Sequence, residues 1–212
     1  MYQKIKSFFQ YFFYNFILIS LIFSFQIKPQ FVQAATDTAN LSTSIQDYLS
    51  FSITAGDTVT FGNLTPSTPI CFATGTVASV ETNAANGYTL GLSDSVVGSD
   101  SCLLQQVDLT TRIADYAGTI TTPTIWAGTG LGIGLYAADT NKDVKWGTGT
   151  TVCDANNKYA GIPQNATTAH TVTGYHFGAD TSSWSFKIDA PASQKTGSYS
   201  GTVTFTATAV LV

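Results

Sequence analysis

The closing stretch of the chain constrains the fold more than any other segment. Between Gly197 and Val212, apolar and hydroxyl-bearing residues occupy alternate positions. The apolar parity carries Tyr199, Val203, Phe205, Ala207, Ala209 and Leu211, and the polar parity carries Ser200, Thr202, Thr204, Thr206 and Thr208. Side chains two positions apart share one face of a strand, so this pattern predicts a half-buried β-strand with its hydroxyl face in water. The chain therefore ends inside a sheet.

Shorter alternating segments recur along the rest of the chain, and no long segment has the 3.6-residue apolar period of a helix. Clusters of Gly, Pro, Asn and Asp separate these segments. The candidate strands are Leu49–Ile53, Val59–Phe61, Gly75–Thr82, Tyr88–Leu92, Leu103–Val107, Leu131–Leu135, His170–Phe177 and Trp184–Ile188. Short strands at this spacing predict an all-β sandwich or barrel, here as one domain over residues 47–212.

The N-terminus has the features of a secretory signal. Two lysines precede an apolar stretch from Phe8 to Phe25, and small residues follow as far as Ala34. This pattern predicts a signal peptide over residues 1–34, cleaved before Ala35, while the apolar stretch is also just long enough for an uncleaved membrane anchor. We expect export to the bacterial cell surface, with no membrane contact after cleavage.

The mature chain predicted in this way is acidic but poor in charge. Six Lys and Arg residues face thirteen Asp and Glu residues, which gives a net charge near −7. Charged residues make up 10% of the chain, against about 25% in an average protein. Nucleic acids and anionic lipids require clustered Lys and Arg, so we expect neither as a partner. The composition is typical of a rigid exterior β-protein.

Three cysteines, Cys71, Cys102 and Cys153, lie in the exported part. We predict a Cys71–Cys102 disulfide, because the two residues bracket the strand pair from Thr76 to Leu92. Such a loop is worth about 3 to 4 kcal/mol in the chain-entropy model. Cys153 would then be a free thiol or a cross-link between subunits. Pairings through Cys153 stay open, since spacing does not define connectivity.

The run from Gly128 to Gly134 is rich in glycine but is not a phosphate-binding loop. Its glycines lack the spacing of a dinucleotide motif, and no helical pattern follows. We interpret it as a strand or hairpin edge in which glycine permits close packing of the backbone.

Three longer segments carry a recognisable order of elements. They are DTVTFGNLTPSTPICFATGTVASVETNAANGYTLGLSD, GIGLYAADTNKDVKWGTGT and ASQKTGSYSGTVTFTATAV. Together they resemble spore coat protein U domains and the related archaic chaperone–usher pilins, and the closing strand is also similar to that of Gram-positive WxL surface domains. The resemblance covers most of residues 57–212. It implies a single immunoglobulin-like sandwich of the Greek-key type in a surface structure.

In the pilin-like families, an extended strand from the next subunit fills the open edge of an incomplete sandwich. The resemblance implies the same exchange here, with residues 35–46 as the candidate donor or a simple N-terminal extension. The apolar parity of that segment carries Ala39, Leu41, Thr43 and Ile45. The same parity continues to Ile53, so residues 39–53 either donate a strand in trans or form one long first strand of their own domain.

No motif identifies a catalytic or strong metal site. His170 and His176 are six positions apart, with no Cys or acidic residue at a zinc spacing beside them. Asp139, Asn141 and Asp143 have the alternating oxygen ligands that begin a calcium loop, but the turn glycine and the bidentate Glu of an EF-hand are replaced. We expect a solvated turn, with weak calcium binding as the alternative and no other cofactor.

Two tryptophans are candidates for a ligand surface. Trp126 and Trp146 lie among Gly and Thr, where exposure would offer flat aromatic faces to a carbohydrate. The alternative is that both pack at the ends of the sandwich. Trp184 alternates with Phe186 and Ile188, so we expect it in the core.

These observations favour a structural subunit of an extracellular fibre, pilus or coat. Its partners would be copies of itself or other surface subunits. The alternative is a monomeric adhesin or carbohydrate-binding module that meets a sugar or a partner-cell surface through Trp126 and Trp146. A secreted hydrolase is the third class, but the sequence identifies no catalytic set, so we expect a protein that is not an enzyme.

Overall fold

The computed structural model describes residues 2–24, 40–94 and 103–211. The chain divides into two compact units, residues 1–44 and 45–212. The first contains a helix, α1 (Tyr2–Ser24). In the part of the chain that the structure describes, no helix is long and apolar enough to cross a membrane. The predicted cleavage point before Ala35 lies outside the described residues.

The second unit is built almost entirely from strands. In chain order they are β1 (Leu49–Ala55), β2 (Ile70–Cys71), β3 (Thr76–Thr82), β4 (Tyr88–Asp94), β5 (Leu103–Gln105), β6 (Arg112–Ile113), β7 (Thr124–Ile125), β8 (Gly130–Ala138), β9 (Lys158–Tyr159), β10 (Thr167–Val172), β11 (Asp180–Asp189), β12 (Tyr199–Ser200) and β13 (Val203–Ala209). A single turn of 3-10 helix, η1 (Val144–Trp146), lies between β8 and β9.

The larger sheet is organised around β11. Strand β8 runs antiparallel along one edge of β11, while β3 and then β2 pair with the other edge. Strand β1 is antiparallel to β3 on the outside of the sheet. The second sheet has the order β10–β4–β13, again antiparallel. Two small sheets, β12–β5–β6 and β7–β9, complete an all-β, sandwich-like fold, as the sequence predicted.

Strand β13 confirms the alternation at the end of the chain. Its apolar residues from Val203 to Ala209 are partly buried, and the threonines between them are exposed. Each of its seven residues pairs with β4. Tyr199, which shares the apolar parity, belongs instead to the short strand β12 beside β5.

The core lies between the two sheets. Trp184 on β11 is fully buried, as predicted, and its ring meets those of Trp146 and Phe205 edge to face, at centroid distances of 5.6 and 5.7 Å. Leucine and isoleucine side chains of β4, β8 and β11 fill the space around these rings. Their burial supplies the main stabilisation of the unit, since a fully buried aliphatic side chain contributes roughly 1.5 to 3 kcal/mol.

The glycines of β8 make room for an outer layer of aromatic rings. Gly130, Gly132 and Gly134 alternate with the core-facing leucines and isoleucine of the strand. A Cβ on Gly132 would lie 2.9 Å from Trp126 Cζ3 and 3.2 Å from the Cβ atoms of both Tyr116 and Tyr159. The run is therefore a strand with close packing over its glycine face, as the sequence indicated.

The disulfide joins Cys71 to Cys153, with 5.8 Å between the Cα atoms. The prediction of a Cys71–Cys102 bond with Cys153 free is therefore wrong, and Cys102 lies outside the described residues. The physical reason is the position of β2. It pairs with the last part of β11, and the turn that holds Cys153 (φ 64°) reaches it there.

Three predicted strands are absent or run two or more residues past the observed end. Strand β5 ends at Gln105, so the predicted extension to Val107 is wrong. The segment from Val59 to Phe61 forms no strand, although both apolar side chains pack against the core. Strand β10 ends at Val172, so the predicted extension to Phe177 is wrong. Gly174 follows with φ 83°, which turns the chain into the loop that leads to β11.

Candidate functional site

An open cleft of about 990 Å³ lies where β13 begins and β11 finishes. Its apolar lining comes from both sheets and from the loops that cap this end of the sandwich. The lining includes Ile53, Phe61, Leu103, Phe186, Val203 and Phe205. Asp57 and Lys195 are charged residues of this lining, so the cleft combines apolar side chains with polar and charged ones.

The cleft exists because one side of the sandwich is not covered. Core-facing residues of β3 and β4, such as Val80 and Leu90, are fully buried. By contrast, Ile53 on β1 and Phe205 on β13 are only partly buried, although they also face the core. Strands β1 and β13 lie next to each other at this side. Apolar surface that a further strand would cover therefore stays accessible.

The two strands that border the opening are both edge strands. Among the described strands, β1 pairs only with β3, and β13 pairs only with β4. Each therefore presents a second row of backbone N–H and C=O groups that takes no part in these ladders. Unpaired edges next to apolar surface are a template for an added strand.

Residues 40–48 form no strand and are exposed. Of the predicted donor residues, Leu41 is 95% exposed and Ile45 is 85% exposed, Thr43 is also exposed, and Ala39 lies outside the described residues. Strand β1 starts only at Leu49, so one long first strand over residues 39–53 is not what the structure contains. The alternating pattern marks a segment whose apolar side chains are uncovered.

Asn83 holds the chain where it enters β1. Its Oδ1 accepts from the Tyr48 N–H at 2.7 Å, and its Nδ2 donates to the Gln46 carbonyl at 2.8 Å. The Thr82 hydroxyl donates to the Tyr48 carbonyl at 2.7 Å. Because Asn83 follows β3, residues 46–48 are fixed on the β3 side of β1, away from its free edge. Sequence reasoning missed this role, since the two partners of Asn83 lie 35 and 37 positions earlier in the chain.

The two ligand candidates Trp126 and Trp146 do not form one surface. Trp146 is 0% exposed, and its Nε1 donates to the Ala169 carbonyl at 3.1 Å, so the prediction of an exposed platform is wrong for this residue. Its neighbour Trp184 explains why, because the two indoles meet edge to face inside the core. Trp126 is half-buried on the opposite, outer face of β8, where it stacks on Tyr116 at a centroid distance of 4.4 Å.

Lys187 also packs against the outer ring cluster. Its Nζ lies 5.3 Å from the centroid of Trp126 and 5.7 Å from that of Tyr159. Burial lowers the pKa of this amine below its ordinary value. One face of Trp126 is thus occupied by Tyr116, and the Lys187 ammonium takes part in the same cluster, which stabilises the outer layer.

The candidate calcium turn uses its carboxylates within the fold. Asp139 Oδ2 accepts from the Thr181 hydroxyl at 2.7 Å and from its N–H at 2.9 Å, which lowers the pKa of Asp139. Asp143 accepts from the Lys145 N–H and caps η1, and Asn141 has φ 52°. Over the described ranges, no group of three or more His, Cys, Asp or Glu residues is arranged to hold a metal ion.

The two histidines lie in different surroundings. His170 is 2% exposed on β10, where its ring meets Tyr88 edge to face at 6.3 Å. His176 follows the end of β10 and is partly exposed. The predicted strand His170–Phe177 would have placed both on one face, but β10 ends at Val172 and the chain turns at Gly174 between them.

No protein-family model matches this chain, and no curated protein matches it. The resemblance to coat protein U domains, archaic pilins and WxL domains remains a prediction from the short segments quoted above.

Proposed function

We propose that this protein is an exported structural subunit of an extracellular fibre or coat, and that residues 39–46 of one copy fill the open cleft of another. One observation carries the proposal. A single chain combines an apolar cleft beside two free strand edges with an exposed segment of alternating apolar residues. A donor and an acceptor on one chain are what a homopolymer requires.

The segment fits the cleft in length and chemistry. Residues 39–46 are uncharged, whereas Asp37 and Asp47 flank them. Its eight residues span about 26 Å when extended, which is one residue longer than seven-residue strands such as β1 and β13. Backbone groups of the donor would complete an exposed ladder, and Leu41 and Ile45 would enter the cleft. Burial of each would contribute roughly 1.5 to 3 kcal/mol.

The hydrogen bonds of Asn83 favour exchange between copies over closure within one copy. To return into its own cleft, the chain would have to reverse at residues 46–48 and cross to the free edge of β1. That reversal would break the bonds from Asn83 to Gln46 and Tyr48. Insertion into a neighbouring copy leaves them intact. The acidic, charge-poor composition and the signal-like N-terminus support an exported location.

The test compares two pairs of substitutions in the same segment. The full chain is expressed with export, and the secreted protein is examined by negative-stain electron microscopy and sedimentation velocity. We expect Leu41→Asn with Ile45→Asn to abolish filaments and oligomers, because both side chains belong to the parity that would enter the cleft. Ser42→Asn with Ser44→Asn is the matched control, and these residues would face outward. It is expected to assemble like the unaltered chain.

Strand donation predicts that assembly depends on Leu41 and Ile45 but not on Ser42 and Ser44. Equal assembly by both variants, or equal loss in both, would overturn strand donation, since only one face of a strand enters a cleft. A monomeric state of the unaltered protein together with saturable binding of a sugar would instead support an adhesin or carbohydrate-binding module.

A further inference from the structure

A loop between β10 and β11 presents two aromatic rings to solvent. In this aromatic loop, residues 173–179, Phe177 is 83% exposed and Tyr175 is 61% exposed. Gly174 and Gly178 flank the rings with φ 83° and 94°, and both have open space around them. Single exposed apolar residues are common on protein surfaces, but two aromatic rings on one loop tip are typical of an interaction site.

The aromatic loop lies at the end of the sandwich from which the donor segment leaves. Gly87 packs directly against the carbonyl oxygens of Val172 and Gly174, so the loop starts beside the β3–β4 turn. The same turn contains Asn83, which holds Gln46 and Tyr48. The aromatic loop and residues 46–48, where the donor segment joins the sandwich, therefore both lie beside the turn between β3 and β4.

The donor segment has no flexible linker at its base. Gln46, which directly follows Ile45, is already bonded to Asn83. An extended residue spans at most about 3.6 Å, so the body of the donating copy follows within roughly 10 Å of the last inserted side chain. Insertion of Ile45 into a cleft must therefore bring the end of the donating copy that carries the aromatic loop into contact with the accepting copy.

The accepting copy offers an apolar tip beside its cleft. The β5–β6 hairpin exposes Val107 and Leu109, at 87% and 60%. Its base is tied to the cleft lining, because the Gln106 N–H donates to the Ser198 carbonyl at 2.9 Å and Gln105 Nε2 donates to the Thr196 carbonyl at 2.6 Å. At its tip, Asp108 accepts from Lys195 Nζ at 2.7 Å, which fixes the turn.

We infer that the aromatic loop of the donating copy packs on the β5–β6 hairpin of the accepting copy, as a second contact beside the donated strand. The inference rests on the proposed function. The two surfaces differ and lie at different ends of the sandwich, so the contact is heterologous, which is the head-to-tail type that a chain of subunits requires. Aromatic rings are the side chains that most often dominate such contacts.

The test separates the second contact from strand donation itself. A fluorescent peptide of residues 39–46 is titrated by anisotropy into the secreted protein carrying Leu41→Asn and Ile45→Asn, whose cleft should be vacant. Tyr175→Ser with Phe177→Ser is then added to that acceptor. We expect the affinity for the peptide to stay unchanged, because the peptide carries no folded domain and so cannot make the second contact. In the assembly-competent chain, the same two serine substitutions should raise the critical concentration for assembly at least tenfold.

Matched variants locate the contact. Ile125→Ser removes an exposed apolar side chain from β7 on the outer layer and should leave the critical concentration unchanged. Leu109→Ser should match the aromatic-loop variant, and the two combined should add little, since they remove one contact from opposite sides. Melting temperatures of all variants report whether each folds.

Each outcome decides one claim. If the peptide does not bind, the proposed function fails. If the peptide binds but folded variants of the aromatic loop or of Leu109 assemble like the unaltered chain, strand donation stands and the second contact is overturned. A large additional loss on combining the two variants would also overturn it, because independent sites add.

Discussion

We expect His170 to make the stability of the sandwich sensitive to pH. Burial lowers the pKa of its imidazole below 6.5, while the nearby Asp180 carboxylate opposes that shift in part. Neither ring nitrogen has a hydrogen-bond partner among the described residues. The neutral form therefore suits the folded core, and the charged form suits the unfolded chain.

The sign of the effect follows from linkage. Below pH 6.5 the unfolded chain binds a proton that folded His170 resists, so the free energy of unfolding falls as the pH drops, by up to about 1.4 kcal/mol per pH unit. We expect His170→Phe to flatten this slope between pH 6.5 and 5 in urea titrations. Equal slopes in both proteins would show that His170 does not control this range.

The glycine face of β8 allows the outer aromatic rings to pack directly against the strand. We predict that Gly132→Ala lowers the free energy of unfolding by about 1 to 3 kcal/mol, because the added methyl group would be only 2.9 Å from Trp126 Cζ3. Urea denaturation gives the value. Gly91→Ala on β4 is the matched control, since its nearest neighbours are 3.7 Å away. A similar loss in both variants would point to a general cost of replacing strand glycines.

Alternation of apolar and polar residues predicted the strands that have one buried face and one more exposed face. It identified β3, β4, β11 and β13 in this way. It could not separate β1 from residues 40–48, because both carry the same parity. Alternation reports which side chains would share a face, but it does not report whether a neighbouring strand is present to receive the backbone hydrogen bonds. That information depends on the tertiary arrangement.

The candidate site, which is the cleft together with the donor segment, also depends on a tertiary arrangement that alternation does not report. The sequence predicted that Leu41 and Ile45 would suit a donor strand. It did not predict the cleft, which requires β1, β13 and the loops near Lys195 to leave one side uncovered. Asn83 acts through a hydrogen bond to a residue 37 positions earlier, and no local pattern encodes it. Trp146 likewise appeared exposable because its Gly- and Thr-rich neighbours are typical of a loop.

The disulfide constrains the unit as a whole, because it joins β2 on the large sheet to the turn before β9 across a sequence separation of 82 residues. Closing a loop of this length restricts the unfolded chain strongly, and removal of a native disulfide typically costs about 2 to 5 kcal/mol. We therefore expect Cys71→Ser with Cys153→Ser to lower the free energy of unfolding by that amount, measured by urea denaturation.

Cys102→Ser is the control for that prediction, and it also tests the connectivity. The structure pairs Cys71 with Cys153, so loss of the Cys102 thiol should leave the stability of the monomer unchanged. Mass mapping of peptides from the secreted, unreduced protein should find Cys71 linked to Cys153. A peptide that links Cys71 to Cys102, together with a stability loss in Cys102→Ser, would contradict this pairing. In that case β2 would be tied to Cys102, which directly precedes Leu103. Because Leu103 lines the cleft, the lining of the cleft would differ as well. The connectivity therefore bears on the acceptor site as well as on stability.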